Sequence, residues 1–249
     1  MTQNSSTRFE KTTELTTDSL TLIEGLPGLG LVASIAVDQI TKQLELDQHG
    51  TIVSDDFPPV AAFDEGRVRD AVRVYAGEDP AVMTLQSDVP IPPTAVESLS
   101  DCVLNDVADE FEQAVFLAGA PAESEEEVGE VVGVATTDQL EADLTDAGIT
   151  LAEGAGVIGG VTGALLADCY HDDVPAAALI VRSNPYMPDP RAARAVIEDA
   201  LEPLVEFDID TQELLEQAEE IQQQKQQIAE QLQQYQQQQQ EQPRTGMYQ

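Results

Sequence analysis

Residues 23–33 read Ile23-Glu24-Gly25-Leu26-Pro27-Gly28-Leu29-Gly30-Leu31-Val32-Ala33. They join an apolar run, Leu20–Glu24, to a helical period over Leu29–Leu46. The run is short, rich in Leu and Ile, and stopped by glycine, which predicts a strand. The glycines permit a tight turn and a close backbone approach where the helix begins. Gly28, Gly30 and Ala33 also fit the dinucleotide spacing G-x-G-x-x-G/A, with Asp55 at the end of the next strand. Pro27 removes one backbone donor from that turn. No Gly-Lys-Ser/Thr of a phosphate-binding loop occurs in the chain. The segment is therefore read first as a structural strand-to-helix turn. The alternative is a nucleotide- or nucleoside-binding, phosphorylase-like pocket, with Gly25, Gly28 and Gly30 as the contact candidates. No cofactor is assigned.

Outward from this turn, strand-like runs alternate with helical periods. The runs are Thr51–Ser54, Ala71–Ala76, Ala81–Gln86, Ala114–Ala118, Glu130–Ala135 and Ala176–Val181. Gly77-Glu78-Asp79-Pro80 separates the second from the third and predicts a hairpin. Helical periods fall at Pro93–Asp109, Thr137–Ala147, Val157–Cys169 and Pro190–Leu204, with Thr137 and Asp189 as N-caps. A second glycine cluster, Gly154-Ala155-Gly156-Val157-Ile158-Gly159, follows a short run at Ile149–Leu151. Gly156, Gly160 and Gly163 are expected on one helix face, allowing close packing. This order predicts an α/β layered domain with a largely parallel sheet over residues 19–208, after a polar lead-in at 1–18.

From Thr211 the composition changes to Gln, Glu, Leu, Ile and Ala. Leu214, Ala218, Ile221, Lys225, Ile228, Leu232 and Tyr235 recur at alternating spacings of four and three, a heptad seam. Glutamine favours helix, so residues 209–241 are expected to form a coiled-coil helix pairing with its own copies or folding back on the domain. The lysine on the seam bears on register or oligomer number. Pro243 stops the helix. Residues 242–249 then form a flexible leader ending in Met247-Tyr248-Gln249.

Net charge is -36, from 47 acidic and 11 basic residues, and the acids are spread along the whole chain among apolar runs. That pattern is read as adaptation to high salt, where screening removes self-repulsion. It argues against direct nucleic-acid binding, which needs a basic footprint. The first 17 residues lack the apolar core of a signal peptide, and no run reaches membrane-spanning length. A cytoplasmic protein without a membrane contact is expected. Cys102 and Cys169 are read as buried thiols. His49 and His171 match no metal-ligand spacing with them, so no metal is assigned. Asp55, Asp56, Asp88, His171, Arg182, Ser183 and Asn184 are the candidates for an enzyme reading, but they form no catalytic pattern. His171, at a helix end, is read as a charge partner for that terminus. The Asn184-Pro185-Tyr186-Met187-Pro188 loop is either packed or part of an interface.

The 23–33 segment resembles the opening signature of the proteasome assembly chaperone family, in the group related to the second eukaryotic assembly chaperone subunit. Gly156-Val-Ile-Gly-Gly-Val-Thr-Gly163-Ala-Leu-Leu, Val174-Pro-Ala-Ala-Ala-Leu-Ile-Val181 and Pro188-Asp-Pro-Arg-Ala-Ala193 are similar to that family's later segments, in order. The resemblance spans about residues 18–205, and the stalk and tail are similar to those of archaeal members. It implies a nucleoside-phosphorylase-like α/β fold, homo-oligomers, binding to proteasome subunits or the core particle, and no catalysis. The last three residues resemble the hydrophobic-tyrosine-any tail of proteasome activators. The resemblance implies docking on the core-particle alpha ring. The Gln249 carboxylate would face a lysine, and Tyr248 and Met247 would pack beside it.

Overall fold

The computed structural model describes residues 7–17 and 19–221. Eleven strands run in the order β1 Arg8–Lys11, β2 Leu20–Gly25, β3 Asp47–Val53, β4 Ala62–Asp64, β5 Arg67–Arg69, β6 Val72–Glu78, β7 Ala81–Ser87, β8 Phe111–Pro121, β9 Val131–Ala135, β10 Thr150–Leu151 and β11 Ala176–Ser183. The helices are α1 Val32–Gln43, α2 Val96–Cys102, α3 Asp138–Asp146, α4 Gly160–His171, α5 Pro190–Val196 and α6 Glu202–Val205. Nine strands form one sheet in the order β1-β3-β6-β7-β2-β8-β11-β9-β10, and β4 and β5 form a separate hairpin.

The centre of the sheet, β7-β2-β8-β11, is parallel. On one flank, β1, β3, β6 and β7 pair antiparallel, and on the other β9 runs against β11. The sheet is therefore mixed. The short Gly77–Pro80 connection has room only for an antiparallel return, whereas parallel neighbours need a crossover helix.

The central strands are apolar on both faces because helices cover both. Ile23, Val115, Leu117, Ala177 and Leu179 point into a core shared with α1, α3 and α5. Leu20, Leu22, Ala114, Phe116, Ala176 and Ala178 point the other way, into a core with α2 and α4. The alternation along one strand thus divides its side chains between two helical layers. Cys102 and Cys169 are buried in the second core, where burial pushes both thiols up to about 12.

Both expected caps are present. Thr137 accepts the Leu140 N–H at 3.2 Å, and Asp189 accepts the Ala192 N–H at 3.1 Å ahead of Pro190. Three expectations need correction. The polar lead-in supplies edge strand β1, which one apolar residue, Phe9, does not announce. Helix α1 starts at Val32, after a tight turn with Leu31 left-handed. Helix α4 starts at Gly160, so Gly156 lies before the helix and no glycine stripe forms. Only Gly163 of the three is closely approached, by the Ile158 carbonyl.

Asp189→Ala should remove the cap of α5 and leave buried amides unpaired, at a cost of about 1–3 kcal/mol. Thermal denaturation should show a Tm lower by roughly 3–10 °C. An unchanged Tm would mean that this cap contributes nothing.

Candidate functional site

Strands β2, β8 and β11 end together at the carboxyl edge of the sheet, where open α/β sheets carry their sites. The Gly25–Gly30 turn lies there, packed on its β8 and β11 side. A Cβ at Gly119 of β8 would lie 2.5 Å from the Leu29 carbonyl oxygen. Gly30 has φ 65°, and a Cβ on it would lie 2.8 Å from Ser183 Oγ. The Gly30 carbonyl accepts the Asp189 N–H at 2.8 Å, and the Gly28 carbonyl accepts that of Leu31 at 3.1 Å. The turn is thus packed against two neighbouring strands. Asp55 follows β3, which β6 and β7 separate from β2 by three strand spacings, or about 14 Å. Gly25 and Gly30 are tightly packed, whereas Gly28 is open. A cavity of about 430 Å³ beside the turn is lined by Gly25, Pro27 and Leu31 with Asp88, which follows the neighbouring strand β7.

Beneath the turn lies Glu24, fully buried in β2. It accepts the Leu26 N–H at 2.7 Å and the Thr162 hydroxyl of α4 at 3.3 Å. Burial pushes its carboxyl up to about 7, more than these hydrogen bonds pull it down. Nothing in the sequence marked Glu24 except its place inside an apolar run.

Beside β7, Arg73 has a side chain only 3 % exposed and donates to Asp88 at 2.6 and 3.0 Å, to the Tyr75 hydroxyl and to the Asp70 carbonyl. Arg69 joins Asp88 at 3.1 Å and Asp64 at 2.9 Å. Burial raises the Asp88 pKa, but the two guanidinium groups outweigh it and hold the carboxyl below its usual range. This network bolts the β4–β5 hairpin to the sheet.

The remaining enzyme candidates do not converge. Ser183 is buried under Gly30, Arg182 is exposed and donates to the Pro121 carbonyl, and Asp55 and Asp56 lie in the exposed loop after β3. His171 ends α4, about 18 Å of helix away from the carboxyl edge. Among the described residues no group of three or more His, Cys, Asp and Glu could hold a metal ion, and no helix is long and apolar enough to cross a membrane.

The carboxyl edge instead offers exposed apolar side chains. Leu31 follows β2, Val157 precedes α4, and Tyr186 follows β11 and is 91 % exposed. The stalk arrives at the same edge. Residues 212–221 are helical, and Leu214 is buried in the core shared by α1 and α5. Gln39 of α1 donates to the Asp210 carbonyl at 2.8 Å, and Thr211 donates to Glu198. Ile221 lies beside Pro188–Arg191, at the start of α5, so the helix runs toward Tyr186. The first seam residue is thus seated on the domain itself. Ala218 and Ile221 are half-buried along the same line. Lys225, Ile228, Leu232, Tyr235 and Met247–Gln249 lie outside the described residues.

The sequence matches the profile of the PAC2 family over residues 22–229. The chain belongs to the PAC2 family. An uncharacterized protein of Methanocaldococcus jannaschii, MJ0106, is 29% identical over 217 residues, 87% of this chain and 88% of that one. Pyrococcus furiosus PbaA, described as an archaeal homolog of proteasome-assembly chaperone, superposes with a TM-score of 0.80 at 26% identity, covering 94% of this chain and 97% of PbaA. Pyrococcus furiosus PbaB, described as an archaeal proteasome activator, gives 0.80 at 20% identity, over 90% and 99% of the two chains. At that identity PbaB speaks to the fold. PbaA and PbaB are thus described by chaperoning and activation, each in its own right.

Two tests follow from this geometry. Gly30→Ala forces a side chain into a left-handed position against Ser183 and should destabilise the fold by about 1–3 kcal/mol. Gly28→Ala, where a Cβ meets nothing within 4 Å, should change stability by under about 1 kcal/mol; equal losses in urea titrations would contradict this packing. Glu24 has a folded pKa raised from 4.5 to about 7, so the folded state binds the extra proton. Its stabilising effect is complete below about pH 4.5 and is lost as pH rises through about 7, by roughly 3 kcal/mol in all. Glu24→Gln should flatten that part of the pH–stability profile at constant salt. Parallel profiles for the two proteins would show that Glu24 titrates normally.

Proposed function

We propose that this chain is a haloarchaeal proteasome assembly chaperone or activator, in the group related to the second eukaryotic assembly chaperone subunit. It acts as a homo-oligomer whose C-terminal tails dock on the core-particle alpha ring through Met247, Tyr248 and Gln249. The observation that carries this reading is the likeness to PbaA along almost the whole chain, joined to a sequence that ends in an apolar residue, tyrosine and a carboxy-terminus. The stalk supports it. Its first turns are anchored by Leu214, and 28 residues, 222–249, follow the last described turn. Capture of a carboxy-terminus is a recurrent recognition mode. One short tail binds weakly, and several on one oligomer gain by avidity. The seam from Lys225 to Tyr235 is the proposed coiled-coil contact between copies. The net charge of -36 fits a cytoplasm of high salt. The nucleotide-binding alternative would use the cavity beside Gly25, where the acid at hand, Asp88, is already held by Arg69 and Arg73.

The test is a pull-down of purified core particles in molar salt, with the full chain and with Tyr248→Ala, followed by peptide hydrolysis. The full chain should bind and the variant should lose at least about tenfold in affinity, because a buried aromatic anchor is worth 2 kcal/mol or more. Faster hydrolysis marks an activator, and binding without it marks a chaperone. Equal binding by both chains would sink the tail mechanism.

A further inference from the structure

The β4–β5 hairpin is an arm with a bare apolar surface. Phe63 and Val68 face each other across its two strands and are 74% and 78% exposed, with Val60 55% exposed just before it. Large exposed apolar groups clustered in this way mark a contact surface. Arg67, beside the turn, is exposed and forms no ion pair among the described residues. The network of Arg69, Asp64, Arg73 and Asp88 fixes the base of the arm, so it is presented in one orientation.

A groove of about 910 Å³ lies at the opposite end of the sheet. Its walls are the starts of β9 and β10, helix α5 and the stalk helix. Val131, Ile149 and Leu215 give it an apolar lining, and Glu130, Glu198, Asp199 and Glu219 outnumber Arg191 and Arg194 on its rim, which is acidic on balance. The groove has room for the side chains of a hairpin tip, and its rim complements Arg67.

The positions of arm and groove select the occupant. The hairpin leaves from the end of β3 and returns into β6, at the carboxyl edge of the parallel centre. The groove sits at the starts of β9 and β10, and β9 runs against β11, so it too lies at the carboxyl edge. Arm and groove are thus level, with β6 and β9 five strand spacings apart, or about 24 Å. Complementary patches on different sides of one chain make a heterologous contact, which forms a ring when the rotation closes. If successive copies keep their strands parallel, level patches leave little rise per copy, and the contact closes into a ring rather than running on as a filament.

We propose that the β4–β5 hairpin of each copy seats in the acidic-rimmed groove between α5, the β9–β10 starts and the stalk helix of the next copy. The resulting ring puts every stalk on one side. The incoming hairpin also packs on Leu215, so assembly steadies the stalk it touches. This inference deepens the homo-oligomer part of the proposed function and rests on that part alone.

Sedimentation velocity of the full chain in molar potassium chloride tests it, using Phe63→Asp/Val68→Asp in the arm and Thr150→Trp in the groove. All three positions are exposed, so melting curves should match the parent. Each variant alone should self-associate roughly 10–100-fold more weakly, the scale of losing one large buried apolar side chain. Mixed together, the two variants should form a dimer and nothing larger, because one intact arm meets one intact groove. Arg67→Glu, which keeps the apolar pair, should also weaken assembly and serves if the double variant misfolds. Parent-like assembly of the arm and groove variants, a mixture that stays monomeric, or a parent that is monomeric throughout would each overturn the proposal. Tyr248→Ala should sediment like the parent. A ring that forms yet fails to bind core particles would sink the tail-docking reading and leave this one standing.

Discussion

Asp189 ties three segments together at the carboxyl edge. Its backbone N–H donates to the Gly30 carbonyl, its Oδ2 accepts the Asn184 N–H at 2.7 Å, and its Oδ1 accepts the Ala192 N–H. The glycine turn, the loop after β11 and the first turn of α5 are therefore fixed by one residue, 7% exposed, through its backbone N–H and both carboxylate oxygens. In a buried place each of those amides would otherwise lack a partner. With the turn held down, Leu29 occupies the space over Gly119 of β8. The edge that holds a ligand in many α/β sheets becomes a rigid rim carrying loops and a stalk.

The consequence for function is a division of labour. The sheet and its two helical layers supply stiffness, and nothing among the described residues arranges a nucleophile, a base and an oxyanion site. What the domain presents is surface: Tyr186, Val157 and Leu31 at the rim, the Phe63–Val68 arm at one end and an acidic-rimmed groove at the other. A binding protein needs such features to be held still, since ordering them at the moment of contact costs affinity. Buried Arg73, paired with the partly exposed Asp88, fits this need. Moving Asp88 away would leave the buried Arg73 charge without its carboxylate, so the base of the arm has one favourable arrangement.

Acidity bears on the same surfaces. A chain at -36 repels copies of itself until salt screens it. Contacts between copies must then come from apolar groups or from basic groups set against acids, and the arm carries both, in Phe63, Val68 and Arg67. The stalk shows a related compromise. Its seam reads as one continuous heptad pattern, yet Leu214 is used within the chain, against α1 and α5. The domain is thereby joined to the stalk without a hinge at the first turn.

By itself, the sequence determined the local and compositional features. Strand-helix alternation, the Thr137 and Asp189 caps, the buried cysteines and the hairpin at Gly77–Pro80 were legible because each depends on neighbours within a few residues. The motifs in 23–33 and 156–193 carried the family, and the charge balance argued against a nucleic-acid role. Tertiary structure alone decided that Gly30 is needed against Ser183, that Glu24 is buried beside Thr162, that Phe63 and Val68 are bare and that Leu214 faces the domain. It also decided the antiparallel flank and edge strand β1. Each of these rests on contacts between residues far apart in the chain, where the spacing of apolar residues fixes which face a side chain occupies and leaves open what that face will meet.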